Sequence, residues 1–250
     1  MVPRDLAEDA LMLEFSRFDK RSYDTVPVKE GYKEWMPSYE DTVDDRMDLE
    51  ILERVASVPW DKVRAAADLG CGTGRTGVWL RSHGVGEIDG VDVTPAMLEG
   101  AREKAVYRDL AEADVRNSGL ASKSYDIVIC CLVDEHLPDL APLYAEAERL
   151  MKPGGCFVLV GFHPFFIMRT GMPTHFDDPS GKPVAIETHV HLLSDQVAAA
   201  AAAGLTLTEM HEAIVDRGWL QSKPGWEKFL DWPFSFVAVW RASPPLGNDA

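Results

Sequence analysis

A glycine-rich segment at residues 65–77, AAADLGCGTGRTG, constrains the fold of this chain more than any other feature. Small apolar residues lead to Asp68, and glycines follow at the alternate positions Gly70, Gly72 and Gly74. Glycine is favoured in such a turn because it adopts positive φ values and lets the backbone approach a ligand closely. Free N–H groups at the start of the following helix favour an electron-rich or anionic ligand group. The segment therefore predicts a strand, a tight ligand-binding turn and a helix.

The rest of the chain after residue 60 alternates between strand-like and helix-like segments. Residues 125–132 form a continuous apolar run, which is typical of a strand buried on both faces of a sheet. Thr94 and Pro95 are typical of a helix N-terminus. Such alternation implies right-handed crossovers and a parallel sheet. We expect strands near 64–69, 87–92, 107–113, 125–132, 156–162, 205–215 and 234–241, and helices near 75–83, after Thr94, at 139–151 and between Ser194 and Gly204.

Two regions do not follow this alternation. Near the N-terminus we expect helices at 5–18 and 40–57, the second because apolar residues recur there every four positions. Residues 163–192 exceed the usual length of a connection and are rich in Phe, Met and His. We expect them to form a lid. The single domain therefore divides into a helical cap at 1–58, a ligand-binding core at 59–162, the inserted lid at 163–192, the C-terminal part of the sheet at 193–242 and a flexible tail at 243–250.

Composition narrows the class of protein. The chain has 250 residues, 46% of them hydrophobic and 26% charged, which is ordinary for one soluble α/β domain. A formal net charge of −16 argues against nucleic acid and anionic membrane surfaces as partners. We see no signal-peptide core and no run long enough to cross a membrane. The four cysteines have no C-x-x-C spacing, so we expect reduced thiols in a cytoplasmic protein.

Two ligand classes fit the glycine pattern. A G-x-G-x-x-G string that starts at Gly72 matches the dinucleotide-binding pattern by letter. In that register Gly70 and Cys71 intervene between the strand and the first glycine, and Asp68 would repel a pyrophosphate. A D-x-G-x-G-x-G string that starts at Asp68 resembles motif I of the class I S-adenosyl-L-methionine (AdoMet)-dependent methyltransferases. An acid at that position suits a ligand with an amine and a sulfonium.

Further motifs extend this resemblance over residues 60–162, and the order of elements extends it over 194–241. The segments YDIVICCLVDEHLPDL and RLMKPGG are similar to motif IV of small-molecule methyltransferases and to the turn before their fifth strand. The resemblance implies a Rossmann-like, seven-stranded, mostly parallel sheet with an antiparallel last strand and helices on both faces. It also implies methyl transfer from AdoMet to an oxygen or nitrogen atom of a small molecule, with release of S-adenosyl-L-homocysteine (SAH).

The same resemblance assigns roles to individual residues. Asp68 would bind the methionyl amine, Asp92 the ribose hydroxyls and Asp114 the adenine amino group. A turn acid for Asp92 and a solvated loop acid for Asp114 remain as alternatives. The expected cofactor-binding residues are Asp68, Gly70, Gly72, Asp92, Val93, Met97, Asp114, Val115 and Cys131.

Two histidines are candidates for a catalytic base. His163 follows the predicted fifth strand, where an α/β sheet opens its ligand crevice, and histidine can accept a proton near neutral pH. The alternative is a histidine hydrogen-bonded within the lid. His136 either acts as a base or shapes the loop beside AdoMet. We predict no metal, because Leu132 stands where ubiquinone-type O-methyltransferases carry an acid three residues before the glutamate.

Aromatic residues are candidates both to line an acceptor pocket and to close over the bound ligand. Tyr23, Tyr32, Trp35 and Tyr39 would either close over AdoMet or pack as a cap. The apolar residues of the lid region either line an acceptor pocket or pack on the sheet. They are Phe162, Phe165, Phe166, Met168, Met172 and Phe176.

Two rival functions remain. One is a non-catalytic protein that binds AdoMet and supports a partner, and the other is an NAD-dependent dehydrogenase. For the dehydrogenase, the sequence shows no recognisable set of residues for hydride transfer. The sequence is compatible with a monomer or a homodimer.

Overall fold

A computed structural model describes residues 13–242 of the chain. Its strands within this range are β1 (Asp24–Val26), β2 (Ala65–Leu69), β3 (Glu87–Asp92), β4 (Asp109–Glu112), β5 (Tyr125–Cys131), β6 (Met151–Phe162), β7 (His175–Asp177), β8 (Pro183–Ile186), β9 (Leu205–Ile214) and β10 (Pro233–Ala242). The main sheet has seven strands in the order β4-β3-β2-β5-β6-β10-β9. Strands β2 to β6 pair in parallel, and β10 pairs antiparallel with both β6 and β9. The expected fold class is confirmed.

Helices cover both faces of this sheet. The α-helices of the described range are α1 (Val28–Trp35), α2 (Tyr39–Thr42), α3 (Leu49–Leu52), α4 (Arg75–Ser82), α5 (Pro95–Lys104), α6 (Ala141–Leu150), α7 (Pro164–Thr170), α8 (Leu193–Ala202) and α9 (Trp219–Ser222). Short 3₁₀ turns lie at Phe15–Arg17, Met36–Ser38, Asp45–Met47, Trp60–Lys62, Asp134–His136 and Glu227–Phe229. Helices α6 and α8 contribute to the hydrophobic cluster on one face, and α3 and α4 to the cluster on the other.

Strand β5 shows why a continuous apolar run fits the centre of this sheet. Successive side chains of a strand point to opposite faces. Val128 and Cys130 belong to the cluster under α6, whereas Ile127 and Ile129 belong to the cluster under α3 and α4. All four side chains are buried, so both faces of β5 pack against apolar clusters at these positions.

The predicted helix at 40–57 is wrong. The chain forms three short turns there instead, at Tyr39–Thr42, Asp45–Met47 and Leu49–Leu52. The carboxylates of Asp44 and Asp48 accept backbone N–H hydrogen bonds that start the second and third turns, at 3.1 and 2.8 Å. Aspartate competes with the helical ladder in this way because its short side chain reaches nearby backbone groups.

The two predicted terminal features fall largely outside the described residues. Of the helix expected at 5–18, residues 5–12 lie outside that range, and Phe15–Arg17 forms a single 3₁₀ turn. The predicted flexible tail at 243–250 also lies outside it.

The inserted segment and the N-terminal region form one unit. Strand β8 pairs in parallel with β1 and antiparallel with β7, which makes a small three-stranded sheet. Trp35, Phe176 and Ile186 are buried together in the hydrophobic cluster of this unit. Helix α1 contacts both β8 and α5, the helix that follows the C-terminal end of β3. The unit therefore lies beside the carboxyl ends of the main strands.

Candidate functional site

A cavity of about 240 Å³ lies at the carboxyl ends of β2, β3 and β5. Ligands of open α/β sheets bind in such a crevice, where the strand order reverses. The structure brings together eight of the nine residues expected to bind a cofactor: Gly70, Gly72, Asp92, Val93, Met97, Asp114, Val115 and Cys131. The ninth, Asp68, is buried in β2 behind the turn and is not part of the lining.

The glycine turn has the conformation that its sequence requires. Gly70, Gly72 and Gly74 have φ values of +77°, +52° and +90°. The N–H of Gly70 donates to the carbonyl of Val91 at 2.8 Å, which ties the turn to β3. A Cβ atom on Gly70 would lie 2.4 Å from Cγ2 of Val133. No larger residue fits there without displacing the cavity wall.

Asp92 ends β3 and faces the cavity with its carboxylate fixed by the backbone. Its Oδ2 accepts the N–H of Gly72 at 2.9 Å, and its Oδ1 accepts the N–H of Thr94 at 2.7 Å. Burial raises the pKa of Asp92, and these two bonds oppose the shift. Each carboxylate oxygen has a further acceptor site, so Asp92 can still accept from two hydroxyl groups of a ligand.

Asp68 has one carboxylate oxygen in use and one without a partner. The hydroxyl of Tyr107 donates to Oδ2 at 2.7 Å, whereas Oδ1 is buried and has no hydrogen-bond partner within residues 13–242. Burial raises the pKa of this carboxyl group to about 7. An unsatisfied buried oxygen is costly, and a bound ammonium group would satisfy it. The acid therefore fits a ligand with an amine beside the glycine turn.

Asp114 lies at the cavity, but its carboxylate is already paired. Nε of Arg116 lies 2.9 Å from Oδ1, and Nη2 lies 2.6 Å from Oδ2. The hydrogen bonds from Arg116 lower the pKa of Asp114. Sequence reasoning missed Arg116, which also lines the cavity. The role of Asp114 toward an adenine group remains a prediction.

Helix α1 closes the cavity from outside the glycine-turn motif. Val28, Lys29 and Tyr32 line it from this helix, and Tyr39 lines it from α2. Nζ of Lys29 pairs with Glu112 at the end of β4, at 2.5 Å. Two of the four aromatic residues expected to cover a ligand thus reach this cavity.

His136 lines the same cavity as a neutral base. Its Nδ1 lies 2.6 Å from the carbonyl oxygen of Glu187 and must carry the proton, because a carbonyl only accepts. Nε2 is therefore unprotonated, and it accepts the hydroxyl of Tyr32 at 2.9 Å. Burial lowers the pKa of His136 to about 4 and raises that of the Tyr32 phenol well above its usual range.

Two buried acids stand behind His136. Oδ2 of Asp134 accepts from Gln196 at 2.6 Å, and Oε1 of Glu135 accepts from Thr174 at 3.3 Å. The second oxygen of each acid is buried without a partner in the described chain. Burial raises the pKa of both carboxyl groups, that of Glu135 to about 7. Within residues 13–242, no three His, Cys, Asp or Glu side chains are arranged to hold a metal ion.

Comparison with known proteins assigns this arrangement to a family. Residues 67–159 match the model of a family described as a methyltransferase domain. Trans-aconitate 2-methyltransferase of Methylobacterium radiotolerans is 32% identical over 123 residues, which are 49% of this chain and 47% of that protein. An S-adenosylmethionine-dependent methyltransferase from Mesorhizobium loti superposes with a TM-score of 0.62 at 21% identity, covering 80% of this chain and 99% of the other.

The chain contains, in residues 67–159, a domain of the methyltransferase family, and its fold is similar to that of a solved S-adenosylmethionine-dependent methyltransferase. It spans about half the length of the curated relative that it matches. The [4+2]-cyclase SpnF has a similar fold, with a TM-score of 0.59 at 17% identity over 88% of this chain and 98% of that one. A similarity at that level of identity shows the fold alone.

The structure does not bring His163 to the cavity beside the glycine turn. His163 precedes α7, and its Nδ1 accepts the N–H of Phe165 at 3.1 Å. Its Nε2 lies 2.8 Å from Oε1 of Glu212 on β9. Both ring nitrogens are thus engaged, and the side chain lines neither this cavity nor the second one described below.

A second, larger cavity lies on the other side of Trp35. It measures about 630 Å³ and is enclosed by α1, α7, β7 and the segment that contains α9. Of the apolar residues expected to line an acceptor pocket, Phe162, Phe166, Met172 and Phe176 line it. Met168 and Phe165 do not. The ring of Trp35, which lines this cavity, stacks on that of Tyr32, which lines the cavity beside the glycine turn, with centroids 5.8 Å apart.

None of the helices between residues 13 and 242 is both long and apolar enough to cross a membrane.

Proposed function

We propose that the cavity beside the glycine turn binds AdoMet and that the protein methylates an oxygen or nitrogen atom of a small molecule, releasing SAH. One observation carries this proposal. Asp68, with its unpartnered Oδ1, lies in the strand that leads into the glycine turn, and Asp92, with its remaining acceptor sites, accepts the N–H of Gly72 within the turn. Together they match a ligand that carries both an amine and a diol. AdoMet is such a ligand, and NAD is not.

We propose specific roles for these residues. Asp68 holds the methionyl amine, Asp92 the ribose hydroxyls, and Gly70 and Gly72 allow close approach of the backbone. Val93, Met97, Val115 and Cys131 form the apolar part of the lining, and Asp114 stands near the adenine position. The cofactor supplies an activated methyl group on its sulfonium, so the protein must position the acceptor and remove its proton.

We place the base at His136 rather than His163. An acceptor hydroxyl or amine next to Tyr32 would donate its proton to the phenol oxygen, and the phenol proton would pass to Nε2 of His136. The imidazolium that forms would lie 3.6 Å from Oε1 of Glu135. An ionised Glu135 would stabilise it there, because opposite charges attract strongly in a buried site.

Residues 163–192 and 20–40 would act as the lid of this site. Their contacts support that role, because the shared sheet places α1 against the cofactor cavity and α7 against the larger one. The name of the Methylobacterium relative, a trans-aconitate methyltransferase, supports a small-molecule acceptor. The net charge of −16 supports the absence of a nucleic-acid partner. We also propose a cytoplasmic location, since the four cysteines form no disulfide.

Thermal unfolding with candidate cofactors tests the proposal. AdoMet and SAH should each raise the melting temperature by mass action, and NADH should not. Stabilisation by NADH with none by SAH would contradict the cofactor assignment and favour a dehydrogenase. Binding of SAH without methyl transfer to any of a broad set of alcohols, phenols, amines and acids would favour the non-catalytic alternative.

A further inference from the structure

The larger cavity has an apolar wall and a charged rim. Its wall consists mainly of aromatic rings: Trp35, Phe162, Phe166, Phe176, Trp226 and Phe234. A volume of about 630 Å³ falls within the range of pockets that bury small organic ligands. The cavity lies near the proposed base. Thr174, which lines it, hydrogen-bonds Glu135, the residue next to His136, and Trp35, which also lines it, stacks on Tyr32.

Arg21 lines this cavity with an unpaired charge. Its Nε is buried and has no hydrogen-bond partner, and its guanidinium has no carboxylate within ion-pair distance in the described part of the chain. This is unexpected in a chain with 41 acidic and 25 basic residues. Some arginines elsewhere in the fold are paired with acids, for example Arg75 with Asp48 and Arg149 with Glu146, and others, such as Arg81, donate to backbone carbonyls.

The backbone that carries Arg21 is fixed in place. The carboxylate of Asp19 accepts the N–H of Arg21 at 2.8 Å and that of Ser22 at 3.0 Å. The N–H of Lys20 donates to the carbonyl of Gly171 at 3.2 Å, which ties this loop to the end of α7. The unpaired guanidinium is therefore held at the cavity by its own segment.

The other charged groups of the cavity define the charge of its ligand. Lys223 lines it as a second cation, with Nζ 3.4 Å from the carbonyl of Thr42 and no carboxylate partner among residues 13–242. Asp177 lines it as an acid. Two cations and one carboxylate leave one net positive charge. His175 adds none while neutral, with Nδ1 2.9 Å from the carbonyl of Pro173.

From these contacts we infer that the methyl acceptor is a monoanionic acid with an apolar body. Its carboxylate binds Arg21, its body packs on the aromatic wall, and its nucleophilic O–H or N–H points toward Tyr32 and His136. Guanidinium binds carboxylate through two parallel hydrogen bonds, which orients the ligand as well as holding it. This inference rests on the proposed function for the identity of the ligand as acceptor, but the anion site itself does not.

Matched acids and amides test the anion site directly. We would measure binding of trans-cinnamate against cinnamamide, and of 2-naphthoate against 2-naphthamide, by calorimetry with and without saturating SAH. In each pair the body is the same and the charge differs. The wild-type protein should bind at least one of the acids about ten-fold or more tightly than its amide, because hydrogen bonds to charged groups contribute that much. Trans-aconitate, a tricarboxylate without an apolar body, should bind more weakly than that acid.

Three variants identify the group responsible. Arg21→Gln should lose most of the preference for the acid, and Arg21→Lys should keep part of it, because charge remains while the forked geometry is lost. Lys182→Gln is the control, since Lys182 is an exposed cation of the same unit that pairs with Asp24 outside the cavity. All three should bind SAH as the wild type does, which verifies that they are folded.

The outcomes separate the two proposals. Equal binding of acid and amide by the wild type, or an undiminished acid preference in Arg21→Gln, would overturn the anion site. Tighter binding of trans-aconitate than of either aromatic acid would overturn the assignment to a monoanion with an apolar body. Failure of the wild type to bind SAH, with the acid preference intact, would instead contradict the proposed function.

Discussion

The hydroxyl of Tyr32 lies 2.9 Å from Nε2 of His136, on the wall of the cavity beside the glycine turn. The two residues are 104 positions apart, one in α1 and the other in the turn after β5. The carbonyl of Glu187, in the inserted segment, orients the imidazole from its other side. This hydrogen-bonded group, the proposed base, is therefore assembled from three separate parts of the chain, and docking of α1 completes it.

Replacing Tyr32 by Phe should slow methyl transfer without weakening cofactor binding. The change removes the hydroxyl that would relay the acceptor proton, and general-base catalysis is typically worth about 10²–10⁴-fold in rate. We would compare kcat with the Kd of SAH, using the first acceptor identified. Tyr39→Phe is the control, because Tyr39 lines the same cavity but its hydroxyl faces Arg75. Equal kcat values for Tyr32→Phe and the wild type would exclude the relay.

The imidazole of His136 should remain neutral well below the usual range. Burial lowers its pKa to about 4, and the proton of the neutral ring should sit on Nδ1 because the Glu187 carbonyl requires a donor. Long-range ¹H–¹⁵N NMR spectra recorded from neutral to acid pH report both the tautomer and the titration. A midpoint near 6.5, or a proton on Nε2 at neutral pH, would contradict this assignment.

Asp92→Ala should weaken binding of AdoMet and SAH. The carboxylate is held by the N–H groups of Gly72 and Thr94 and presents its remaining acceptor sites to the cavity. Hydrogen bonds to a charged group contribute roughly 1.5–3 kcal/mol, so affinity should fall about ten- to a hundred-fold. Calorimetry with SAH measures the change, and Asp109→Ala, an exposed acid on β4, should leave affinity unchanged. An unaltered Kd in folded Asp92→Ala protein would remove Asp92 from the cofactor site.

Glu135→Gln should stabilise the folded protein in a pH-dependent manner. Burial raises the pKa of Glu135 to about 7 in the folded state. The favourable contribution of this group to folding stability is therefore complete below its pKa in the unfolded chain and is lost as the pH rises through 7. The variant should exceed the wild type by roughly 1–3 kcal/mol in free energy of unfolding above that pH, and the gain should shrink as the pH falls from 7 and vanish near pH 4. Denaturant unfolding at several pH values measures this difference.

Glu209→Gln is the control of opposite sign. Although burial raises its pKa, the N–H groups of Ala56 and Ser57 lower the pKa of Glu209 to about 2. The contribution of Glu209 to folding stability is therefore present above its pKa in the unfolded chain and is lost as the pH falls through 2. The Gln variant should thus be less stable than the wild type at neutral pH. A gain for Glu135→Gln that does not change with pH would contradict the titration of Glu135.

Local patterns were sufficient to predict the sheet but not the contacts between distant segments. The apolar run of β5 and the glycines after β2 each indicate a local structure, so the seven-stranded, mostly parallel sheet could be anticipated. The interruption of the helix predicted at 40–57 could not be anticipated from the sequence. The buried carboxylate of Asp48 pairs with Arg75, 27 residues away, and nothing in the local periodicity of apolar residues indicates that partner.

The same limit applies to the two histidines. The position of His163 after β6 suggested a base in the crevice, but its partner Glu212 on β9 is 49 residues away and becomes a neighbour through the pairing of β10 with both strands. The partner of His136 is Tyr32, which comes from a segment that precedes the motifs of the core. A sequence motif marks the part of a site that lies on consecutive residues, and the remainder depends on tertiary packing.

Binding of SAH should protect the lid from hydrogen exchange. Helix α1 lines the cofactor cavity through Lys29 and Tyr32 and shares a hydrophobic cluster with β8 of the inserted segment. A ligand in the cavity would hold α1, and α1 would hold β8, so backbone amides of residues 24–39 and 183–187 should exchange more slowly. Mass spectrometry with and without SAH measures this, and peptides from β9, at the far edge of the sheet, serve as the internal reference. Protection confined to the glycine turn and α5, with unchanged exchange in α1 and β8, would show that these segments do not close over the cofactor.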